Sequence, residues 1–376
     1  MRSTPMNPKT VVQQRIRTAE RELVDLSRRI HAHPELAFEE VRASTWVAEH
    51  LSAAGFDVEH GCYGLSTAVR ATVGSGPLHI AVCAEYDALP EIGHACGHNI
   101  IAAAAVGAGV GLAGLADDLG LTVTVLGTPA EEGGGGKILM LERGAFVGVD
   151  AAMMVHPAAA ETDAMPGTAV SQFDVLYRGT PAHAGAYPER GVNAADAMTV
   201  AQVAIGLLRQ QTAGTDRIQG IVTEAGSAAN VIPDTSRGRW IVRSDTLEAL
   251  APLKTRVARC FEAGALATGC DLTTSPVGPD YADLRPDPTM LALYRANAEA
   301  VGRTFSADAA AGAATDMGNV SHAVPTIHPM LGLDCAPAVN HQPEFTAACV
   351  TPAADRAVLD GAVAMAWTAA DLSGRL

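Results

Sequence analysis

Three short segments of this sequence carry residue types that bind metals or move protons, and each follows a stretch with the pattern of a buried strand. The first is the run G-H-A-C-G-H-N, which holds Cys96 and His98 two positions apart. A thiolate and an imidazole nitrogen at this spacing can reach one metal ion from a single turn. A lone Cys-x-His pair is more typical of a buried cysteine beside a helix-cap histidine, so this segment needs support from elsewhere.

The second segment, T-P-A-E-E-G-G, places Glu131 and Glu132 side by side in a turn. Burying two adjacent carboxylates without partners is costly. Because adjacent side chains point in different directions, one carboxylate can bind a metal while the other acts as a general base, its pKa set by the metal charge and partial burial. A solvated acidic loop is the alternative, and the flanking glycines, which let backbone and ligand approach closely, disfavour it.

The third segment ends in M-V-H-P and puts His156 at the carboxyl end of the following strand. Ligand sites in α/β sheets gather at the carboxyl ends of strands. Each segment is weak support alone. Together, the three strand ends offer nitrogen, sulfur and oxygen donors, which describes a transition-metal site.

The elements that must position these residues alternate between strand and helix, which predicts an α/β sheet covered on both faces. Helical spacing of apolar residues covers 11–32 and 38–54, with a break at Pro34. Strands are expected at 66–73, 78–84, 121–127 and 151–155, and a short helix is expected to end near Arg143. The Ala- and Gly-rich run 100–116 is interpreted as a buried helix rather than a membrane span, since it is short and ends in two aspartates.

From about Met165 the order becomes β-α-β-β-α-β, which is typical of a separate ferredoxin-like α+β domain. Its elements are expected at 168–178, 193–211, 217–225, 236–243 and 247–267. Beyond Pro276 the mixed α/β pattern returns and ends in an Ala-rich helix after Thr351. The sequence therefore predicts a discontinuous domain of residues 1–165 and 282–376, with an inserted domain of 166–281.

Composition narrows the classes of partner and compartment. The chain has 376 residues with a net charge of −15, so attraction to nucleic acid or an anionic membrane is not expected, and a small-molecule partner is favoured. The seven cysteines are an odd number spread over a long chain, and residues 1–20 show no apolar secretory segment. The expected location is the cytoplasm.

Two glycine patterns in the sequence are misleading. G-x-G-x-x-G at 109–114 lies inside a predicted helix rather than at a strand-to-helix turn, so close helix packing explains it better than a dinucleotide site. The glycine run before Lys137 lacks the spacing of a phosphate loop.

On these residues the sequence resembles the dinuclear-zinc amidohydrolases and exopeptidases, which include aminoacylases, glutamate-releasing carboxypeptidases and indole-acetyl-amino-acid hydrolases. The resemblance runs from H-A-H-P-E at 31–35 to N-H-Q-P-E-F at 340–345. E-Y-D-A-L-P and G-H-A-C-G-H-N place it nearest the branch of aminobenzoyl-glutamate hydrolase and the β-alanyl-lysine-type dipeptidases. The resemblance implies a mixed-sheet catalytic domain covered by helices, with the inserted domain serving as lid and dimerisation domain.

The resemblance also implies a set of metal ligands and a base. Two divalent ions, expected to be zinc with manganese or cobalt as alternatives, would be bound by Cys96, His98, Glu132, His156 and His341. Glu131 would be the general base on water, and Asp87 would orient a ligand imidazole. Glu85 stands where many members have a histidine ligand, and Cys96 stands where they have a bridging aspartate. Both departures fit the cysteine-containing subgroup.

Three matches lie in the inserted domain. His183, in G-T-P-A-H-A-G, would reach the developing oxyanion across the dimer. Asn230 matches a substrate-contacting amide, and Arg243 matches an arginine that pairs with the substrate carboxylate. Without the resemblance, the three would be interpreted as a surface-loop histidine, a turn residue and a solvated strand residue. The loop 314–318, A-T-D-M-G, is expected at most to support a ligand.

The expected function is hydrolysis of the amide bond in an N-acyl amino acid or dipeptide-like substrate by a homodimer joined through the lid. A binding protein on the same fold is one alternative, and the intact Glu131 and Glu132 disfavour it. A cysteine hydrolase is another, with Cys96 as nucleophile and His98 or His94 as base. That interpretation would leave the carboxylate pair without a role.

Overall fold

The computed structural model describes residues 7–163, 165–306 and 312–374. It divides the chain into two compact units, one formed by Met1–Pro166 with Leu284–Leu376 and the other by Gly167–Asp283. The sequence placed the ends of the inserted domain at 166 and 281. Residues 1–6, the first part of the segment in which no secretory signal is expected, lie outside the described residues.

Helices and strands alternate along most of the chain. The helices are α1 (Pro8–Thr18), α2 (Glu20–Ala32), α3 (Val41–Ala53), α4 (His98–Ala113), α5 (Gly136–Glu142), α6 (Ala194–Leu208), α7 (Leu247–Thr268), α8 (Pro288–Ala300), α9 (Met317–Ser321), α10 (Pro343–Ala348) and α11 (Pro352–Leu372). The strands are β1 (Asp57–His60), β2 (Val69–Val73), β3 (Leu78–Glu85), β4 (Leu121–Thr128), β5 (Ala151–Met153), β6 (His156–Ala158), β7 (Ala169–Arg178), β8 (Arg217–Ala225), β9 (Thr235–Ser244), β10 (Asp271–Pro276), β11 (Thr326–Ile327) and β12 (Met330–Gly332).

A six-stranded mixed sheet forms the centre of the first unit, in the order β1-β2-β4-β3-β5-β11. Strands β4, β3, β5 and β11 are parallel, whereas β1 and β2 continue the sheet antiparallel. The residues of β3 and β4 are nearly all buried, as expected for apolar strands covered on both faces. The register pairs Glu85 with Thr128. The carboxyl ends of the parallel strands therefore meet at one edge of the sheet.

Two elements of the first unit differ from the sequence prediction. The helix expected over 11–32 is two helices, α1 and α2, that meet at Ala19. Both bury their apolar residues in the same core, so the helical spacing continues across the break and does not reveal it. Strand β1 was not predicted, because its sequence D-V-E-H is polar and mostly exposed at the edge of the sheet.

Helix α4 is buried on almost every side and packs against α2, α11 and β3. A Cβ added at Gly109 would lie 2.8 Å from a Val125 methyl, and one at Gly111 would lie 2.9 Å from Ile16. Close packing therefore accounts for the glycine pattern at 109–114, and the run 100–116 lies largely within a buried helix, as predicted. Among the described residues, no helix combines the length and apolarity needed to cross a bilayer.

The second unit has the predicted β-α-β-β-α-β order in an antiparallel sheet, β10-β7-β9-β8. Helices α6 and α7 pack on the sheet over a core that includes Tyr177, Trp240 and Phe261. Strand β9 alternates buried and more exposed residues, which is typical of a sheet with one covered face. Strand β8 is an edge strand and is exposed along nearly all of its length. The α/β class with an inserted α+β unit confirms the predicted fold class.

Candidate metal centre

The turn between β3 and α4 brings Cys96 and His98 to the carboxyl edge of the sheet. Gly97, at φ +74°, stands between them as the residue before α4. A Cβ at Gly97 would lie 2.8 Å from the ring of Pro157, so only glycine suits both this backbone conformation and this close approach. Cys96 and His98 are buried. Their ligand atoms lie within 4.8 Å of each other and of a ring nitrogen of His156.

Asp87 fixes the orientation of His98. Its Oδ1 lies 2.9 Å from His98 Nδ1, and its Oδ2 accepts the backbone N–H of Glu132 at 2.9 Å. Burial tends to raise the pKa of Asp87, but the His98 ring and the Glu132 amide outweigh burial and lower it. A hydrogen bond at Nδ1 leaves Nε2 as the atom of His98 that can bind a metal.

Glu132 and His341 form a second group of donors around the same cysteine. His341 Nε2 lies 3.0 Å from Cys96 Sγ and 3.6 Å from Glu132 Oε2. His341 has φ +68°, and its N–H donates to the carbonyl of Ala95, which holds it beside the turn. The structure thus gathers all five residues expected as ligands into two groups that share Cys96: one with His98 and His156, and one with Glu132 and His341.

The donor atoms of these two groups suit transition-metal ions. His98 Nε2 and Glu132 Oε1 are buried and have no hydrogen-bond partner in the described part of the chain. Buried polar atoms of this kind are costly unless something satisfies them, and a cation would satisfy both. Thiolate, imidazole and carboxylate are the donors that zinc accepts, and a thiolate shared by two groups fits a pair of ions.

Glu131 lies beside this cluster and is buried. Its Oε2 is 3.9 Å from His98 Nε2. Burial, followed by the charges of Glu85 and Glu132, holds the pKa of Glu131 well above its ordinary value. A cation bound at the neighbouring donors would oppose this shift and favour the carboxylate form that a general base needs.

Glu85 is held by a buried lysine that sequence reasoning overlooked. Lys137 Nζ lies 2.5 Å from Glu85 Oε1 and also forms an ion pair with Asp316, and all three side chains are inaccessible to solvent. Burial tends to raise the pKa of Glu85, but the charges of Lys137 and of three nearby histidines together outweigh burial, and the pKa falls to about 2. Glu85, although 3.3 Å from His98 Nε2, is therefore an ionised partner of Lys137. The signal in the sequence was a lysine directly after a glycine turn in a chain with three lysines.

His328 is a second residue that the sequence analysis missed. It follows β11 at the same edge of the sheet, is fully buried, and lies against His156 with ring centroids 5.2 Å apart. Neither of its ring nitrogens has a hydrogen-bond partner among residues 7–163, 165–306 and 312–374. Burial lowers its pKa to about 4. The available signal was a His-Pro pair after a strand, as at His156.

The three expected substrate contacts belong to the second unit, whereas the five candidate ligands belong to the first. His183 Nδ1 accepts the N–H groups of Gly185 and Ala186, each at 3.2 Å. The segments of His183 and Asn230 lie side by side, because Ala184 N–H donates to the Asn230 carbonyl. Arg243 lies on β9, and its side chain has no ion-pair partner among the residues that the structure describes.

Comparison with known proteins adds to this geometry. Residues 81–358 match the sequence model of Peptidase family M20/M25/M40. The Xaa-Arg dipeptidase of Mus musculus is 39% identical over 380 residues, which cover 96% of this chain and 87% of the relative. The N-acetyl-L-cysteine deacetylase of Bacillus subtilis is 30% identical over 271 residues, covering 64% of this chain and 63% of the relative. The Bacillus subtilis YXEP protein, a dinuclear metal binding peptidase of the M20 family, shares the fold with a TM-score of 0.72 and 22% identity, over 96% of this chain and 100% of its own.

Proposed function

Because the chain belongs to Peptidase family M20/M25/M40 and is a metal-dependent hydrolase, we propose that it hydrolyses the amide bond of a dipeptide or N-acyl amino acid. The observation that carries this proposal is the pair of donor groups that share Cys96, with Glu131 beside them. The sulfur, nitrogen and oxygen donors support zinc as the metal, with manganese or cobalt as alternatives. One ion would be held by Cys96, His98 and His156, and the other by Cys96, Glu132 and His341.

When bound, two divalent ions would polarise the scissile carbonyl and lower the pKa of water. The chain's own residues would carry the proton. Glu131 takes a proton from the attacking water as the water oxygen bonds to the carbonyl carbon, and it then delivers that proton to the amide nitrogen. The carbon–nitrogen bond breaks, and the products are a carboxylic acid and an amine. Asp87 keeps the His98 ring and the Glu132 backbone in place throughout.

The inserted unit would recognise the substrate. Arg243 is half-buried and has no ion-pair partner among the described residues, which suits a guanidinium reserved for a substrate carboxylate. Asn230 would contact the substrate backbone. His183 would donate to the carbonyl oxygen as negative charge develops there, acting across a homodimer.

Exposed apolar side chains on the inserted unit support a homodimer through this unit. They are Val203 and Leu207 on α6 and Ile221 and Val222 on the edge strand β8, and α6 contacts β8. An exposed edge strand with apolar neighbours is a surface that proteins normally cover.

The named relatives narrow the substrate class. The Xaa-Arg dipeptidase of Mus musculus covers 96% of this chain, so we place dipeptides with a basic carboxyl-terminal residue first among the substrates to test. N-acyl amino acids and aminobenzoyl-glutamate come next. The seven free cysteines support the proposal of a reducing, cytoplasmic location.

Two alternative functions are less well supported. In a cysteine hydrolase, Cys96 would need to be a thiolate, but burial raises the pKa of this thiol well above its ordinary value. His94, one of the candidate bases for that reaction, is buried against His31, with ring centroids 6.1 Å apart. A binding protein would not need Glu131 beside the donor groups.

The experiment that tests the proposal is release of free amine from a substrate panel by metal-loaded protein. The panel contains Xaa-Arg and Xaa-Lys dipeptides, the same dipeptides with amidated carboxyl termini, N-acetyl amino acids and aminobenzoyl-glutamate. We expect turnover of free-carboxylate substrates that a chelator abolishes and added zinc, manganese or cobalt restores. Calorimetric binding of a panel member without product release would favour the binding protein. Turnover that survives chelator but not thiol alkylation would favour the cysteine hydrolase.

A further inference from the structure

Glu131 stands between two backbone amides that are each held by a buried carboxylate. On one side, Glu132 N–H donates to Asp87 Oδ2 at 2.9 Å. On the other, Ala130 N–H donates to Glu40 Oε1 at 2.8 Å. The resemblance to known enzymes pointed to Asp87, but nothing in the sequence analysis pointed to Glu40.

Glu40 is fully buried, and both of its oxygens accept hydrogen bonds from the chain. Oε1 accepts the N–H of Phe38 at 2.9 Å in addition to that of Ala130, and Oε2 accepts the hydroxyl of Thr67 at 2.8 Å. The carbonyl of Thr67 in turn accepts the hydroxyl of Tyr86, which lies just beyond β3. Glu40 therefore joins the segment before α3, the segment just before β2 and the turn after β4.

The turn after β4 is built around a residue in an unfavourable backbone conformation. Ala130 has φ +59°, in the left-handed region that residues with a side chain rarely adopt. Its carbonyl accepts the N–H groups of Gly134 and Gly136, so the turn closes only while Ala130 keeps this conformation. Phe38, also in the left-handed region at φ +63°, packs its ring directly against Gly134. One oxygen of Glu40 thus links two residues with left-handed backbone conformations, Phe38 and Ala130, that lie in two different loops.

We propose that Glu40 is a positioning residue of the active site, which aims the Glu131 carboxylate by holding the Ala130 amide. This inference rests on the proposed role of Glu131 as the general base. Glu40 is fully buried and its side chain hydrogen-bonds to Phe38, Thr67 and Ala130, with no ion pair to a candidate metal ligand among the described residues, so its effect must pass through the turn. Ala130 and Glu132 are the two neighbours of Glu131 in the chain, and with both amides fixed the Glu131 backbone has little freedom.

Three variants test this role, and each is compared with wild type for kcat, KM and bound metal. Glu40→Ala is expected to lower kcat about 10- to 100-fold, the scale of a small misplacement of a catalytic group, with KM within about twofold and metal content unchanged. Glu40→Gln is expected to restore kcat to within about fivefold of wild type, since its amide oxygen can accept the Phe38 and Ala130 N–H groups while its NH2 donates to Thr67. Glu39→Ala, an exposed neighbour, is the matched control and is expected to leave kcat unchanged.

A double variant separates positioning from general loss of structure. Glycine adopts φ near +60° without steric cost, so Ala130→Gly reduces the need for the Glu40 hydrogen bond. We expect Glu40→Ala with Ala130→Gly to have a kcat at least threefold above that of Glu40→Ala alone, a coupling that independent sites would not show. If Glu40→Ala does not fold, Thr67→Val replaces it as the test. This variant removes only the hydroxyl donor to Oε2 and is expected to lower kcat severalfold at unchanged KM.

Hydrogen exchange gives a readout that does not require activity. Amides of the peptide 128–136 are expected to exchange at least tenfold faster in Glu40→Ala than in wild type, and at the wild-type rate in Glu39→Ala. A wild-type protein without metal-dependent turnover would refute the proposed function, while the exchange rates would still test Glu40. The positioning role is overturned by a folded Glu40→Ala with kcat within twofold of wild type, by unchanged exchange at 128–136, or by equal loss of kcat in the Gln and Ala variants.

Discussion

Replacing Lys137 by methionine is expected to destabilise the first unit strongly, because this residue is the cation of a fully buried charge cluster. Its amine lies 2.5 Å from Glu85 Oε1 and forms a second ion pair with Asp316, and none of the three side chains reaches solvent. Methionine fills much of the same volume but leaves two buried carboxylates without a cation. Removing one partner of a buried ion pair costs about 3–5 kcal/mol. At about 2–4 °C per kcal/mol for a unit of this size, the expected loss in Tm is roughly 6–20 °C.

Thermal unfolding of metal-free protein is the assay, so that metal binding does not contribute to Tm. Lys254→Met is the matched control, because Lys254 pairs with Asp280 at the surface, where ion pairs contribute about 0–1 kcal/mol. Adding Asp316→Asn to Lys137→Met is expected to recover part of the loss by removing one uncompensated charge. A Lys137→Met variant with a Tm within 2 °C of wild type would show that the first unit does not depend on the buried Lys137 ion pairs for its stability.

Three further predictions follow from named contacts. Cys96→Ala is expected to reduce metal content at both groups of ligands, since its sulfur belongs to both, and elemental analysis of dialysed protein measures this. Arg243→Ala is expected to lower kcat/KM for substrates with a free carboxylate about 10- to 100-fold, the scale of a charge-assisted bidentate pair, and to change amidated substrates little. Burial raises the pKa of Glu40 to about 7 from 4.5, so its contribution to stability is full below about pH 4.5 and is lost as pH rises through 7. In urea unfolding, the free energy of unfolding of Glu40→Gln is therefore expected to rise relative to that of wild type as the pH increases from 5 to 8. A difference between the two proteins that stays constant over this range would contradict this.

Much of the candidate site could be predicted because its residues lie at the ends of parallel strands. Glu131, Glu132 and His156 each follow a strand within a few positions, and sheet topology brings such ends together whatever the remaining details. Cys96 and His98 lie in the turn that follows β3, so the end of this strand was enough to predict the edge at which they lie. Short segments of the sequence therefore predicted both the types of the site residues and the sheet edge at which these residues meet.

The residues that escaped prediction act through contacts between distant segments. Lys137 pairs with residues 52 positions before it and 179 positions after it, and Glu40 accepts from Thr67 and Ala130, at separations of 27 and 90 residues. No periodicity or short motif encodes such partners. His341 was expected only from the resemblance, since it lies in a turn far along the chain and not at the end of a strand.

Glu131 is proposed to move the proton in a metal-dependent amide hydrolysis. The most direct test measures kcat for an Xaa-Arg dipeptide together with the metal bound per chain, in the same samples of wild type and Glu131→Gln. We expect equal metal content and a kcat at least about 100-fold lower in the variant, the scale of a general base. A Glu131→Gln enzyme that carries the same metal and turns over at nearly the wild-type rate would contradict it.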